Sequence, residues 1–166
     1  MNNSVLRRLL VPAVLLPLVT VAGCSSSDSA SGSAAKAAVP APGAAAAKAC
    51  RKLRAELPEH VDGLGKNDPA PESELTAGWG DPAIILRCGV PRPAALDDPK
   101  TDGVGVDGVD WAIVHEDGGP YRLYTTLRIA YVEVTIPAAR ADDGLSPLTD
   151  FAKPVARTIP KGIAED

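Results

Sequence analysis

The chain carries 17 basic and 21 acidic residues among 166, a formal charge of −4, and its aromatic residues are two Trp, three Tyr and one Phe. An acidic balance is unfavourable for nucleic-acid binding, which rests on neutralising phosphates with Lys and Arg, and it offers no electrostatic hold on anionic lipid. With so few aromatic rings, a core has to be built mostly from Val, Leu, Ile and Ala.

Residues 1–23 read as a cleavable export signal. Arg7 and Arg8 form a short positive start, and Leu9 to Ala22 follows without a charge, the length and character of a signal-peptide apolar region. It is shorter than the roughly 20 apolar residues of a spanning helix, and Pro12 and Pro17 work against a continuous one. The segment ends in Val21-Ala22-Gly23-Cys24. A cysteine directly after two small residues is the lipobox arrangement: its thiol takes a diacylglycerol, and the small residues let the backbone enter the peptidase. The expectation is a chain anchored through lipid on Cys24 to the extracytoplasmic face of the cell membrane. Two acyl chains hold where one binds only marginally. The alternative is plain secretion with an incidental cysteine. A twin-arginine signal fits poorly with the Ser-Val-Leu and Leu-Leu around Arg7 and Arg8. Without residues 1–23 the balance is 15 basic against 21 acidic residues, or −6.

After Cys24, residues 25–47 are mostly Ala, Ser, Gly and Pro, with Val39 as the one large apolar side chain. Such a stretch buries too little surface to offset ordering entropy, so 24–47 reads as a flexible tether. Behaving as a coil, it would reach roughly 25–30 Å; Ala44–Ala47 can equally begin a helix. Residues 48–163 suffice for a single domain.

A first helix is expected over 45–57, ended by Pro58. At 100° per residue Cys50, Leu53 and Leu57 share one stripe, which turns Cys50 inward. Residues 58–78 read as a polar loop and Trp79-Gly80-Asp81-Pro82 as a turn. Strand one is expected over 83–88, stopped by Gly89-Val90-Pro91, and residues 94–108 read as a second loop. Strands two, three and four are expected over about 109–116, 121–127 and 128–136, with Asp117-Gly118-Gly119 as a hairpin signal. In the last, Ala130, Val132, Val134 and Ile136 share a face opposite Tyr131, Glu133 and Thr135, the alternation of a half-buried antiparallel strand. A second helix begins near Ser146-Pro147, a helix cap followed by proline at the first position. Leu145, Leu148, Ala152, Val155 and Ile159 recur at helical spacing, and Pro154 should kink or shorten it. The fold class is α+β: an antiparallel sheet of about four strands with two helices packed on one face.

With Cys24 assigned to lipid, Cys50 and Cys88 remain. Two thiols in an oxidising compartment point to one disulfide, pinning the first helix to strand one; two separate buried thiols are the competing reading. Two distant cysteines fall short of a structural zinc site.

Trp79-Gly80-Asp81-Pro82, then Leu86-Arg87-Cys88-Gly89-Val90-Pro91-Arg92-Pro93, then Val109-Asp110-Trp111 and Thr126-Leu127-Arg128, with Tyr131-Val132-Glu133-Val134 and the Cys50-x-x-Leu53 start, resemble the DUF3515 family. The resemblance covers nearly all of residues 48–163. It implies small actinobacterial membrane-anchored or secreted proteins of unknown function, and it carries over no catalytic residue or substrate.

Trp79, Asp81 and Arg87 are the candidate recognition patch: an aromatic plate beside a carboxylate and a guanidinium. The plainer reading has Trp79 sealing the core and Asp81 serving a turn; Trp111, mid-strand, reads as core. His60 and His115 have no partner at ligand spacing. Asp102, Asp107 and Asp110 offer oxygen ligands of the kind calcium takes, but out of EF-hand register, so an acidic solvated loop is the better reading. No catalytic residue, metal or cofactor is assigned. The expectation is a non-catalytic binding or accessory module of the cell envelope, meeting an envelope protein or a cell-wall ligand and no nucleic acid. The alternative is a carboxylate-dependent wall-modifying enzyme using Asp81 with Glu133 or Asp110, a chemistry that needs a carboxylate pair about 5–9 Å apart.

Overall fold

The computed structural model describes residues 34–115 and 117–164. The signal, Cys24 and the first part of the expected tether lie outside the described residues. No described helix is long and apolar enough to cross a membrane.

The first helix, α1, covers Ala44–Glu56 and buries Ala49, Cys50 and Leu53. It stops because Leu57, which precedes a proline, is extended, the conformation that the proline ring imposes on its predecessor. The expected polar loop that follows instead contains a two-strand sheet, β1 (His60–Val61) and β2 (Leu64–Gly65), and the edge strand β3 (Thr76–Trp79). Asp62-Gly63 closes the small hairpin with φ of 51° and 76° at its two central residues, the left-handed pair that a two-residue turn requires.

Six antiparallel strands form the main sheet in the order β3-β4-β8-β7-β6-β5, where β4 is Ile84–Val90, β5 Asp102–Val106, β6 Val109–His115, β7 Tyr121–Thr125 and β8 Tyr131–Ile136. The sequence pattern predicts about four strands. The additional members are β3 and β5, both at the edges, where half the backbone needs no neighbour and the apolar signal is weak. Strand β5 reads DGVGV, a composition that suggests loop; Asp107-Gly108, with φ of 47° and 80°, turns it back into β6. Strand β4 also runs past the expected stop. Its register with β8 shifts between Cys88 and Val90, so Gly89 forms a bulge rather than an end. Gly89 has φ of 85°, and a Cβ there would lie 2.5 Å from Pro42, so only glycine fits.

Register assigns the faces. Trp79, Ile84, Leu86, Cys88, Val132, Val134, Leu123, Val109 and Trp111 join the helices in one core with Leu53, Leu148, Phe151 and Val155. The helix α2 (Pro147–Thr158) runs through Pro154 and ends four residues beyond it, where Thr158 Oγ1 donates to the Pro154 carbonyl at 2.7 Å. Ser146 precedes it without capping it; its hydroxyl donates to Asp62 Oδ1 at 3.0 Å, tying the small hairpin to the helix start. The disulfide joins Cys50 to Cys88, with their Cα atoms 5.5 Å apart.

The described part of the expected tether is not a free coil. Ala37 N–H donates to the Ala70 carbonyl at 3.1 Å, Ala70 N–H donates to that of Ala35 at 2.7 Å, and Pro42 lies against Gly89. Residues 35–42 therefore form a strap along the β3–β4 side.

Candidate functional site

The structure separates the three residues expected to form a patch. Trp79 is fully buried on the helix-covered face; its Nε1 donates to the Pro58 carbonyl at 3.0 Å, and its ring lies 5.1 Å from that of Phe151. Asp81 is exposed in the turn before β4, and Arg140 from a 3-10 helix (Ala138–Asp143) donates to the Pro82 carbonyl at 2.8 Å and the Asp81 carbonyl at 3.3 Å. Arg87 occupies the opposite face of the sheet from Trp79. Side chains alternate along a strand, so odd spacing from Ile84 puts Arg87 away from the core.

That second face is covered by neither α-helix, and a polar row crosses it. Neighbouring strands align Thr76, Arg87, Glu133, Tyr124, Ala112 and Gly103 side by side, one from each strand. At its centre Arg87 Nε and Nη2 donate to the two Glu133 carboxylate oxygens, each at 2.8 Å. The Glu133 side chain is only 7 % exposed; a carboxylate so withdrawn from water needs this paired geometry. The hydrogen bond to Glu133 raises the pKa of Arg87 against the opposing effect of its burial. Burial raises that of Tyr124, and the nearby Glu133 carboxylate adds to it. The third donor of Arg87, Nη1, reaches the strap at the Ala38 carbonyl, 3.3 Å away. Farther along the face, Arg92 Nη1 donates to the Tyr131 hydroxyl at 2.9 Å and Nη2 to Asp97 at 3.0 Å.

Beyond Ala112 the side chains shrink to Gly103 and Gly105, and a groove of about 500 Å³ opens between β5–β6 and the 3-10 helix Ala94–Asp97. Gly103, Gly105 and Ala112 line it together with Leu96, Thr101, Thr126 and the carboxyl-bearing Asp98, Asp102 and Asp110, and none of its lining residues is basic. The lining suits a neutral or cationic ligand with groups that can donate to carboxylates and hydroxyls. The loop-like composition of residues 94–108 hides this groove from sequence reasoning. A signal is nonetheless present: Asp107-Gly108 stands between alternating valines, the pattern of a two-residue hairpin.

Of the remaining candidates, Asp107 sits in that hairpin turn and Trp111 is buried in the core. His115 stacks on Tyr121 at 3.9 Å, and His60 is an exposed β1 residue. Among the described residues no group of three or more His, Cys, Asp or Glu could hold a metal ion. Asp81, Glu133 and Asp110 are placed in the β3–β4 turn, the middle of β8 and the groove, and the Glu133 carboxylate is engaged at both oxygens by Arg87.

A family model described as protein of unknown function (DUF3515) matches residues 9–164. The chain belongs to the DUF3515 family. No curated protein and no solved structure matches it. Motifs of the family resemblance now have physical roles. Trp79 seals the core and Gly89 makes the bulge. Arg128 is buried, donating to the Ile159 carbonyl at 2.6 Å and the Gly108 carbonyl at 3.0 Å.

Proposed function

We propose that this DUF3515 protein is a lipid-anchored, extracytoplasmic binding or accessory module of the cell envelope, held through Cys24. The groove at the end of the sheet face away from the helices takes a polar neutral or cationic ligand, such as a wall fragment or a segment of an envelope protein. Support for the anchor comes from the charge-free apolar stretch ending in Ala-Gly-Cys. A disulfide between Cys50 and Cys88 is in keeping with an oxidising compartment. Support for binding comes chiefly from one observation: the groove of about 500 Å³ floored by Gly103, Gly105 and Ala112, beside a polar row on a face that no α-helix covers.

Capture from envelope extracts by the membrane-reconstituted chain, compared with its Gly105→Arg variant, tests this reading. Gly105 lines the groove, is exposed and takes no part in the neighbouring clefts, so the substitution fills the groove without entering the core. Wild type is expected to retain a defined component and the variant to lose at least about tenfold of it, the equivalent of roughly 1.4 kcal/mol. Equal capture by both, or capture by neither, contradicts the groove as the site.

A further inference from the structure

Leu127 and Ile163, respectively 69 % and 81 % exposed, line one cleft of about 340 Å³ at one end of the domain. Arg92 and Tyr131 border this cleft and also a second one of about 260 Å³. Ile163 continues into a third of about 180 Å³, which shares Ile129 with the second. The clefts thus adjoin at one end, where Arg92 stands at the junction of the first two and apolar side chains line most of the rest. Isolated exposed apolar residues are ordinary, but a contiguous apolar surface marks an interaction site.

The backbone at this end is tied by hydrogen bonds. Gly162 N–H donates to the Leu127 carbonyl at 3.0 Å and Ile129 N–H to that of Pro160 at 3.1 Å. Arg128 is buried between them and fastens both the Ile159 carbonyl and the Gly108 turn. Leu127 has φ of 52°, where a side chain crowds the backbone. The fold therefore holds two apolar side chains outward, one of them on a strained residue.

We infer that this end is a membrane-docking surface, with Leu127 and Ile163 entering the interface of the bilayer that anchors Cys24. The inference rests on the anchor proposed above. The strap supplies the reason for choosing lipid as the occupant. Because residues 35–42 are fastened to the domain, only ten residue steps separate Cys24 from Ala34. Fully extended, they span at most about 35 Å. A domain of this size has a radius of gyration of roughly 14 Å, so the anchor keeps it within about its own diameter of the membrane. The apolar end is the face that gains from leaving water there. Insertion of this kind needs no anionic lipid, in keeping with the acidic balance of the chain.

The test uses the full lipidated chain in phosphatidylcholine vesicles. A polarity-sensitive fluorophore is placed on Leu127→Cys or, as control, on Asp117→Cys at the exposed hairpin beyond the other end of β7. Lipid on Cys24 and the disulfide leave the introduced thiol as the one available for labelling. The expected result is a blue shift at position 127 and loss of its emission when doxyl-labelled phosphatidylcholine is added, with neither change at 117. A lipidated, vesicle-bound chain whose label at 127 is unshifted and unquenched overturns docking and leaves the anchor standing. A blue shift without quenching, accompanied by cross-linked dimers, also overturns it in favour of a second copy. Absence of lipid on Cys24 overturns the anchor and docking together.

Discussion

Arg87 and Glu133 meet on the sheet face away from the helices as a partly buried pair, their side chains 26 % and 7 % exposed. Removing one partner strands the other. Arg87→Leu is expected to destabilise the domain by roughly 3 kcal/mol, the lower end for a buried carboxylate left unpaired. The double variant Arg87→Leu/Glu133→Leu is expected to recover much of that loss, because neither charge is then buried alone. Urea denaturation of the two single variants and the double one completes the cycle; additive losses would contradict the pairing. Tyr124 gives a pH dependence with a definite sign. Its folded pKa is raised, chiefly by burial, so the folded state holds the phenolic proton more tightly than the unfolded chain does. That contribution is fully present below the unfolded value of about 10 and is lost as pH rises through the folded one. Stability should therefore fall more steeply above about pH 10 in the wild type than in Tyr124→Phe. Parallel melting-temperature profiles from pH 8 to 11 would contradict it.

The disulfide ties α1 to β4 across 38 residues of chain. Closing a loop of that length restricts the unfolded chain by about 4 kcal/mol in the chain-entropy account. The double variant Cys50→Ser/Cys88→Ser should lose stability of that order in urea titration, and a loss under about 1 kcal/mol would contradict a structural bridge. This bridge is legible in the sequence because Cys50 shares a helical stripe with Leu53 and Leu57, and all three are buried. Both helices and strands β6, β7 and β8 are legible for the same reason: each carries an apolar period that matches its geometry, while β4 is legible as the apolar run Ile84-Ile85-Leu86 between turn residues. Strands β1, β2 and β3 lack such a period, and β5 carries only Val104 and Val106 between glycines. They are short or rich in glycine, and turn residues and neighbouring strands define them. Asp62-Gly63 and Asp107-Gly108 close two hairpins hidden in loop-like sequence, yet Asp102-Gly103 opens a strand, so the dipeptide alone does not separate turn from strand. The candidate patch fails on parity. Trp79 and Arg87 lie close in sequence on adjacent strands, but register places Thr76, not Trp79, opposite Arg87.

Among the described residues, helices and disulfide occupy one side of the six-strand sheet, leaving a polar row and a groove on the other. The strap lies along the β3–β4 side and shortens the link toward Cys24. These features acquire their proposed use only if the chain is processed and lipidated at Cys24. The most direct measurement is the intact mass and N-terminal peptide of the protein from membranes of cells producing wild type or Cys24→Ser. The expected result is a wild-type chain beginning at Cys24 with a diacylglycerol on its sulfur, and a Cys24→Ser chain that lacks the lipid and retains residues 1–23. A wild-type chain that begins elsewhere, or that carries a free thiol at Cys24, would contradict it.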